Sequence, residues 1–224
     1  MGIKHKERIG TDEAGKGDYF GHLVAAGVYT DEEGENFLTS AGVRDSKSLS
    51  DSGVLRLDDA IRKYHASNKE HLRFSIISIS PKKYNELYEK IGNLNRLLAW
   101  AHARAIENLL KGGECEQVIA DQFGDEKFLE RSLMERGRKV KLKQMPRAEE
   151  DIAVASASIL ARAEFLRTLE RLSEKYKTEI PKGSTHVIET GKKLVAMYGE
   201  EVLDDAAKKH FKITGKITVV KQKR

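Results

Sequence analysis

Two periods of apolar residues organise this chain. At helical spacing, Leu94, Leu97, Leu98, Ala101, Ala105, Ile106 and Leu109 form a stripe that Gly112-Gly113 ends, so a helix is predicted over 94–110. At strand spacing, Leu72–Ser80 alternates apolar and polar residues through most of its length before Pro81, which predicts a strand with one covered face. Strands are also predicted over Ile9–Glu13 and Leu23–Tyr29, joined as a hairpin, and over Gln117–Asp121 and Val140–Met145. Val54, Leu57, Ile61 and Tyr64 place a helix over 51–64, and Tyr84–Tyr88 reads as a short helical piece. Pro146–Asp151 opens a helix that is small and apolar nearly all round over Ile152–Ala161, as in a buried helix packed closely on a sheet. It turns amphipathic from Arg162 to about Tyr176, and further helices cover 189–198 and 201–210. Asp31–Gly34 reads as a turn and Ile180–Ser184 as a loop, while Ile217–Val220 is a last short strand or a disordered tail.

Composition changes this picture little. The 224 residues suffice for one generous domain, and no linker, repeat or low-complexity stretch divides them. The formal charge of +5 leans modestly towards polyanionic partners. A single cysteine, Cys115, excludes an internal disulfide and fits a reduced, cytoplasmic setting. No stretch approaches the ~20 apolar residues of a membrane span, and nothing after Lys4-His5-Lys6 resembles a signal peptide.

The candidate chemistry is carboxylate chemistry. Asp12 and Glu13 are adjacent, just before the Gly15-Lys16-Gly17 turn. Neighbours on a strand point to opposite faces, so both can serve one point only if the strand ends or bulges there. Backbone N–H groups at the turn could hold a phosphate or a sugar hydroxyl, with Lys16 adding charge. Asp121 closes the Val118-Ile119-Ala120 run, and ligands of open α/β sheets collect at the carboxyl ends of strands; a helix cap near Asp125 is its plainer reading. Glu149, Glu150 and Asp151 suit a helix N-terminus whatever the function, or one of them joins the other acids. Four carboxylates are what a two-metal phosphodiesterase needs, with two Mg²⁺ ions about 4 Å apart. Arg136, Arg138, Lys139, Lys141, Lys143 and Arg147 either guard a strand edge or contact phosphate. Trp100 reads as core packing and His102 as a partly exposed polar position. No P-loop, nucleophile elbow or dinucleotide fingerprint is present.

The string Gly10-Thr11-Asp12-Glu13-Ala14-Gly15-Lys16-Gly17-Asp18-Tyr19-Phe20-Gly21 resembles the first motif of the type 2 ribonucleases H. The likeness continues through Asp45-Ser46-Lys47, Asn93-Leu94-Asn95, Val118–Asp121, Ala153–Arg162, Pro181-Lys182-Gly183-Ser184 and Lys209-His210-Phe211, covering about 8–214. The Gly-Lys-Gly form and the last two strings look more like ribonuclease HIII than ribonuclease HII. The resemblance implies an α/β ribonuclease H-like fold, with a mixed five-stranded central sheet flanked by helices. A helical C-terminal extension over about 165–214 would close over the substrate within a single domain.

By the same resemblance Asp12, Glu13, Asp121 and Glu149 are catalytic metal ligands, with Glu150 in reserve for the fourth. Gly15, Lys16, Gly17, Ser46, Lys47, Asn93 and Asn95 contact substrate, the Gly-Lys-Gly turn reading ribose 2′-hydroxyls. The implied reaction is metal-dependent cleavage of the RNA strand of RNA/DNA hybrids by a monomer, leaving 5′-phosphate and 3′-hydroxyl ends, with Mg²⁺ or Mn²⁺. Ribonuclease HIII usually carries an N-terminal TBP-like domain, expected to be absent because about eight residues precede the first strand. His22 stands where the family usually has proline. Competing readings are a ribonuclease HII-like enzyme cutting at single embedded ribonucleotides, a resolvase- or integrase-like nuclease on the same fold, and a hybrid-binding protein without catalysis. The last would be expected to lose a carboxylate, and none is missing.

Overall fold

The computed structural model describes residues 7–44, 46–121 and 125–218, with the Lys47 side chain excepted. Asp45, the Lys47 side chain and the end of the tail from 219 thus lie outside the described residues. Five strands form one sheet in the order β3-β2-β1-β4-β5. They are β1 (Arg8–Ala14), β2 (Leu23–Thr30), β3 (Leu72–Ile79), β4 (Gln117–Asp121) and β5 (Lys141–Met145). β1 and β2 are the expected antiparallel hairpin, paired from Arg8↔Thr30 to Ala14↔Val24. β4 runs parallel to β1, and β5 parallel to β4, so the sheet is mixed. β2 is buried at every residue, whereas β5 is an edge with Lys141, Lys143 and Met145 exposed.

The helices are α1 (Glu32–Ser40), α2 (Asp51–Ser67), α3 (Pro81–Ile91), α4 (Leu94–Leu110), α5 (Lys127–Ser132), α6 (Ile152–Tyr176), α7 (Ile188–Tyr198), α8 (Val202–Ala206) and α9 (Thr214–Thr218). The helix over 94–110 has its expected bounds, with Asn93 as N-cap. The turn expected at Asp31–Gly34 is instead the start of α1. Asp31 caps it by accepting from the Gly34 N–H at 3.0 Å, and a Cβ on Gly34 would lie 2.4 Å from the His71 carbonyl oxygen. That glycine answers a close approach, so turn chemistry was the wrong explanation for it. Residues 214–218, for which a strand or disorder was expected beyond Ile217, form a short helix.

The long buried helix starts later than its sequence suggested. Arg147 adopts a left-handed backbone (φ 58), Ala148–Glu150 form a 3₁₀ turn, and Asp151 is extended. Asp151 then caps α6, accepting from the Ala153 N–H at 2.9 Å. Its first half is buried all round, as its small residues predict. A Cβ on Gly10 of β1 would meet the Val154 nitrogen at 2.2 Å, so helix and strand pack backbone to backbone. Trp100, expected in the core, is 38 % exposed on the outer face of α4. The face of α4 that packs on the sheet is filled by smaller residues.

The chain divides into two compact units. The first comprises 1–14, 24–77 and 93–163, hence most of the sheet, α4 and the start of α6. The second comprises 15–23, 78–92 and 164–224, hence the Gly-Lys-Gly turn, α3 and the C-terminal helices.

Candidate active site

In the first unit β1 keeps regular pairing through Ala14, so the period of two holds across Asp12 and Glu13. Thr11 and Glu13 face α4. There His102 Nδ1 lies 3.0 Å from the Thr11 hydroxyl, and Nε2 lies 3.1 Å from a Glu13 carboxylate oxygen. His102 is wholly buried, contrary to the partly exposed position expected for it. The signal was available: His102 lies four residues after Leu98 and seven before Leu109, inside the buried stripe. Gly10 and Asp12 face α6, where Asp12 hydrogen-bonds Ser158. The Asp12 carboxylate also accepts from the Glu13 backbone N–H at 2.8 Å. Although Asp12 keeps some solvent access, burial of its carboxylate and then Glu13's charge push its pKa up to about 6, against the opposing pull of these hydrogen bonds and of His102.

Asp121 joins Asp12 by register. Thr11 pairs with Ala120 in the parallel ladder, so Asp12 and Asp121 are the next residues on neighbouring strands and share a face. Ile119, two residues before Asp121 on that same face, packs with Ala148 and Val154. This contact seats the 148–150 turn on the face of β4 that carries Asp121. Glu149 there is partly buried and Glu150 is exposed. Glu149 therefore sits on a 3₁₀ turn, ahead of the helix that 146–151 was expected to open. Both carboxylate oxygens of Asp151 are engaged, one by its cap and one by Arg8, whose guanidinium also pairs with Glu35 (2.6 and 2.9 Å).

Asp12, Asp121 and the turn that carries Glu149 thus lie on one face of the sheet, and Glu13 faces the other way. Among the described residues, no three acidic, histidine or cysteine side chains close to metal-holding distance. The donors are nonetheless of the kind a hard divalent cation takes: carboxylate oxygens, one of them buried beside a like charge that a cation would offset.

The remaining candidates divide between support and exposure. Ser46 is buried, its hydroxyl 2.8 Å from that of Ser158. Arg162 donates to the Ser46 carbonyl and to Asp51 (2.7 Å for the latter). Asn93 spends its side-chain oxygen on the Arg96 N–H at 3.1 Å, and Asn95 is partly buried in the first turn of α4.

In the second unit Gly15 and Gly21 adopt positive φ (82 and 79). A Cβ on Gly15 would fall 2.1 Å from the His22 carbonyl oxygen. Gly17 is different: a Cβ there would meet nothing within 4 Å, so its backbone is open to a ligand. His22, the residue standing in for proline, lies with Nδ1 2.8 Å from the Ser78 hydroxyl, and burial and then Arg171 lower its pKa to about 4.

Comparison with known proteins places these features in one group. The family model for ribonuclease HII matches residues 9–214. A ribonuclease HIII of Protochlamydia amoebophila is 44 % identical over 214 residues, covering 93 % of this chain and 69 % of the relative. The structure of Bst-RNase HIII in complex with Mn²⁺ superposes with a TM-score of 0.87 at 30 % identity, over 99 % of this chain and 72 % of that one. RNase H3 of Aquifex aeolicus gives a TM-score of 0.72 at 31 % identity, over 93 % and 73 %.

Proposed function

The chain belongs to the ribonuclease HII family and is an endonuclease of the ribonuclease H type; on that premise we propose that it hydrolyses the RNA strand of RNA/DNA hybrids with a divalent cation, Mg²⁺ or Mn²⁺. The observation that carries the reading is the register of the sheet. It sets Asp12 beside Asp121 at the carboxyl ends of two parallel strands, with the turn that carries Glu149 seated on the same face. The Mn²⁺ complex of the Bst relative supports the choice of ion.

When bound, the ions acidify the attacking water and offset charge on the phosphate. Asp12, Asp121 and Glu149 would hold them from one face, and Glu13, one residue before the strand ends at Ala14, from the other. Ser158 fixes the Asp12 carboxylate, and His102 fixes that of Glu13. The open backbone at Gly17, with Lys16 beside it, takes the RNA strand, where a 2′-hydroxyl distinguishes RNA from DNA. The products carry 5′-phosphate and 3′-hydroxyl ends, and the enzyme works as a monomer in the cytoplasm.

Subtype follows from the turn. Lysine offers a point charge where arginine offers a planar fork of fixed donors. Tyr176 and Tyr198, the tyrosines of the C-terminal part, are engaged with each other, and the Tyr176 hydroxyl donates to Asp205 at 2.7 Å. Runs of ribonucleotides are therefore cut well and a single embedded ribonucleotide poorly, as in ribonuclease HIII. The test is a digest of labelled hybrid, RNA duplex, DNA duplex and single-ribonucleotide duplex, each with Mg²⁺, Mn²⁺ or EDTA. Metal-dependent cutting confined to the hybrid is expected. Equal rates on one and on many ribonucleotides would move the enzyme to the ribonuclease HII type.

A further inference from the structure

The second unit buries a lysine whose partners are backbone carbonyls. Lys208 is wholly inaccessible, and its ammonium donates to the Gly21 oxygen at 2.7 Å and the Phe20 oxygen at 3.2 Å. An ammonium withdrawn from water is costly unless its donors are used, so a lysine here needs a reason. The same stretch makes a short two-stranded contact with the segment that follows the Gly-Lys-Gly turn. Phe20 bridges Ala207, the Gly21 N–H reaches the Ala206 oxygen at 3.0 Å, and the Lys208 N–H reaches the Tyr19 oxygen at 2.8 Å. On the other side the Gly183 loop closes on the turn: the Tyr19 N–H donates to the Gly183 oxygen at 2.8 Å, and the Gly183 N–H to Asp18 Oδ1 at 2.6 Å.

Every backbone bond just named fixes residues 18–21, while Gly17 just before them stays open. The turn has no helix or long strand of its own to hold it. A loop of that kind keeps a productive shape only if its supports are rigid, because each residue it orders costs conformational entropy.

We propose that Lys208 is a positioning residue for substrate selection, holding the backbone of the 15–21 turn in the shape that favours RNA/DNA hybrid over DNA duplex. This rests on the reading above that the turn contacts the RNA strand. Burial lowers the Lys208 pKa to about 7, with nearby Asp18 pulling the other way. The other groups that sense its charge, His22 and His210, both have pKa values pushed below the usual histidine range, mainly by burial. Around neutral pH the group on this strap that changes charge is therefore Lys208. A neutral amine still donates to the Phe20 and Gly21 carbonyls and escapes the cost of burying a charge, so the strap is firmer above that pKa.

The experiment measures fluorescence anisotropy of a labelled hybrid and of a DNA duplex of the same sequence, with the full chain in EDTA. The ratio of the two affinities is the readout, since phosphate attraction and general charge act on both. Lys208→Met should reduce the hybrid preference about tenfold, the worth of a hydrogen bond lost from a buried carbonyl, and Lys208→Gln, which keeps neutral donors, should lose less. By linkage the strap is firmer once Lys208 is neutral, so the unmodified protein should gain preference as pH rises from about 6 to about 8.5, and Lys208→Met should show no such slope. The wild-type slope is read without any variant, so a misfolded Lys208→Met protein does not block the test. A pH-independent preference in the unmodified protein, or a folded Lys208→Met protein with intact preference, would overturn the proposal. Lys16→Ala separates the two readings. If it too leaves the preference intact, the turn does not read the RNA strand, and if it alone abolishes the preference, the turn reads it without help from Lys208.

Discussion

The acids of the first unit and the turn of the second are built in opposite ways. Asp12, Glu13 and Asp121 sit on regular strands, and their directions follow from the period of two and one parallel register. Residues 15–21 have almost no regular structure of their own. Their shape comes from Lys208, Ala206 and Gly183, more than 160 positions away in the chain. A chemical group on a ladder is placed by local rules, and a recognition loop is placed by whatever closes on it. The first kind of site should fail through loss of a single charge, and the second through loosening of its supports.

The largest effect expected from that contrast is at Asp121. Asp121→Asn should lower hybrid cleavage about a thousandfold, the scale of losing part of a metal clamp. Its melting temperature in EDTA should hold or rise, since one carboxylate of a like-charged set is gone. A folded Asp121→Asn enzyme that cleaves normally would remove Asp121 from the site.

Next is the 148–150 turn. Glu149 is partly buried on the turn seated on β4 and Glu150 is exposed, so Glu149→Gln should cost about a hundredfold and Glu150→Gln only severalfold. The opposite order in side-by-side cleavage rates would assign the fourth acid to Glu150.

A smaller loss is expected where a side chain acts through another. His102→Leu leaves the Glu13 carboxylate without its imidazole partner, and about a tenfold loss is expected. The loss should lie in kcat, with KM nearly unchanged and the Mn²⁺ concentration for half-maximal rate raised. A variant with unaltered metal requirement would reduce His102 to core packing.

A last effect, on stability and not on cleavage, tests the second unit alone. The Lys208 pKa is about 7 in the folded chain against 10.5 unfolded. Between those values the unfolded chain binds more protons, so stability should rise with pH over that window, while the full burial cost is present below it. Urea unfolding at about pH 7 and about pH 10 should show this upward contribution in the unmodified protein, and Lys208→Met should lack it. Identical pH dependence in both proteins would mean that the ammonium is not buried as described.

Sequence alone determined the hairpin of β1 and β2, the span of α4, the buried character of the start of α6, and the carboxylates at strand ends. Each of these depends on neighbours within a few positions, through hydrophobic period, glycine placement and capping residues. It also carried enough motif to bring the fold into view. Tertiary structure alone decided that Glu13 turns to a buried His102, that Glu149 rides a 3₁₀ turn seated by Ala148 on Ile119, and that Ser46 lies inside. Gly34 shows why sequence fell short there: as a turn residue it means one thing, and as a contact 2.4 Å from the His71 carbonyl another, and no local pattern separates them. Lys208 is the extreme case. Its neighbours Lys209 and His210 are partly or fully exposed, and nothing in a run of basic residues says which ammonium will be taken from water, because the carbonyls that receive it belong to Phe20 and Gly21 at the far end of the chain.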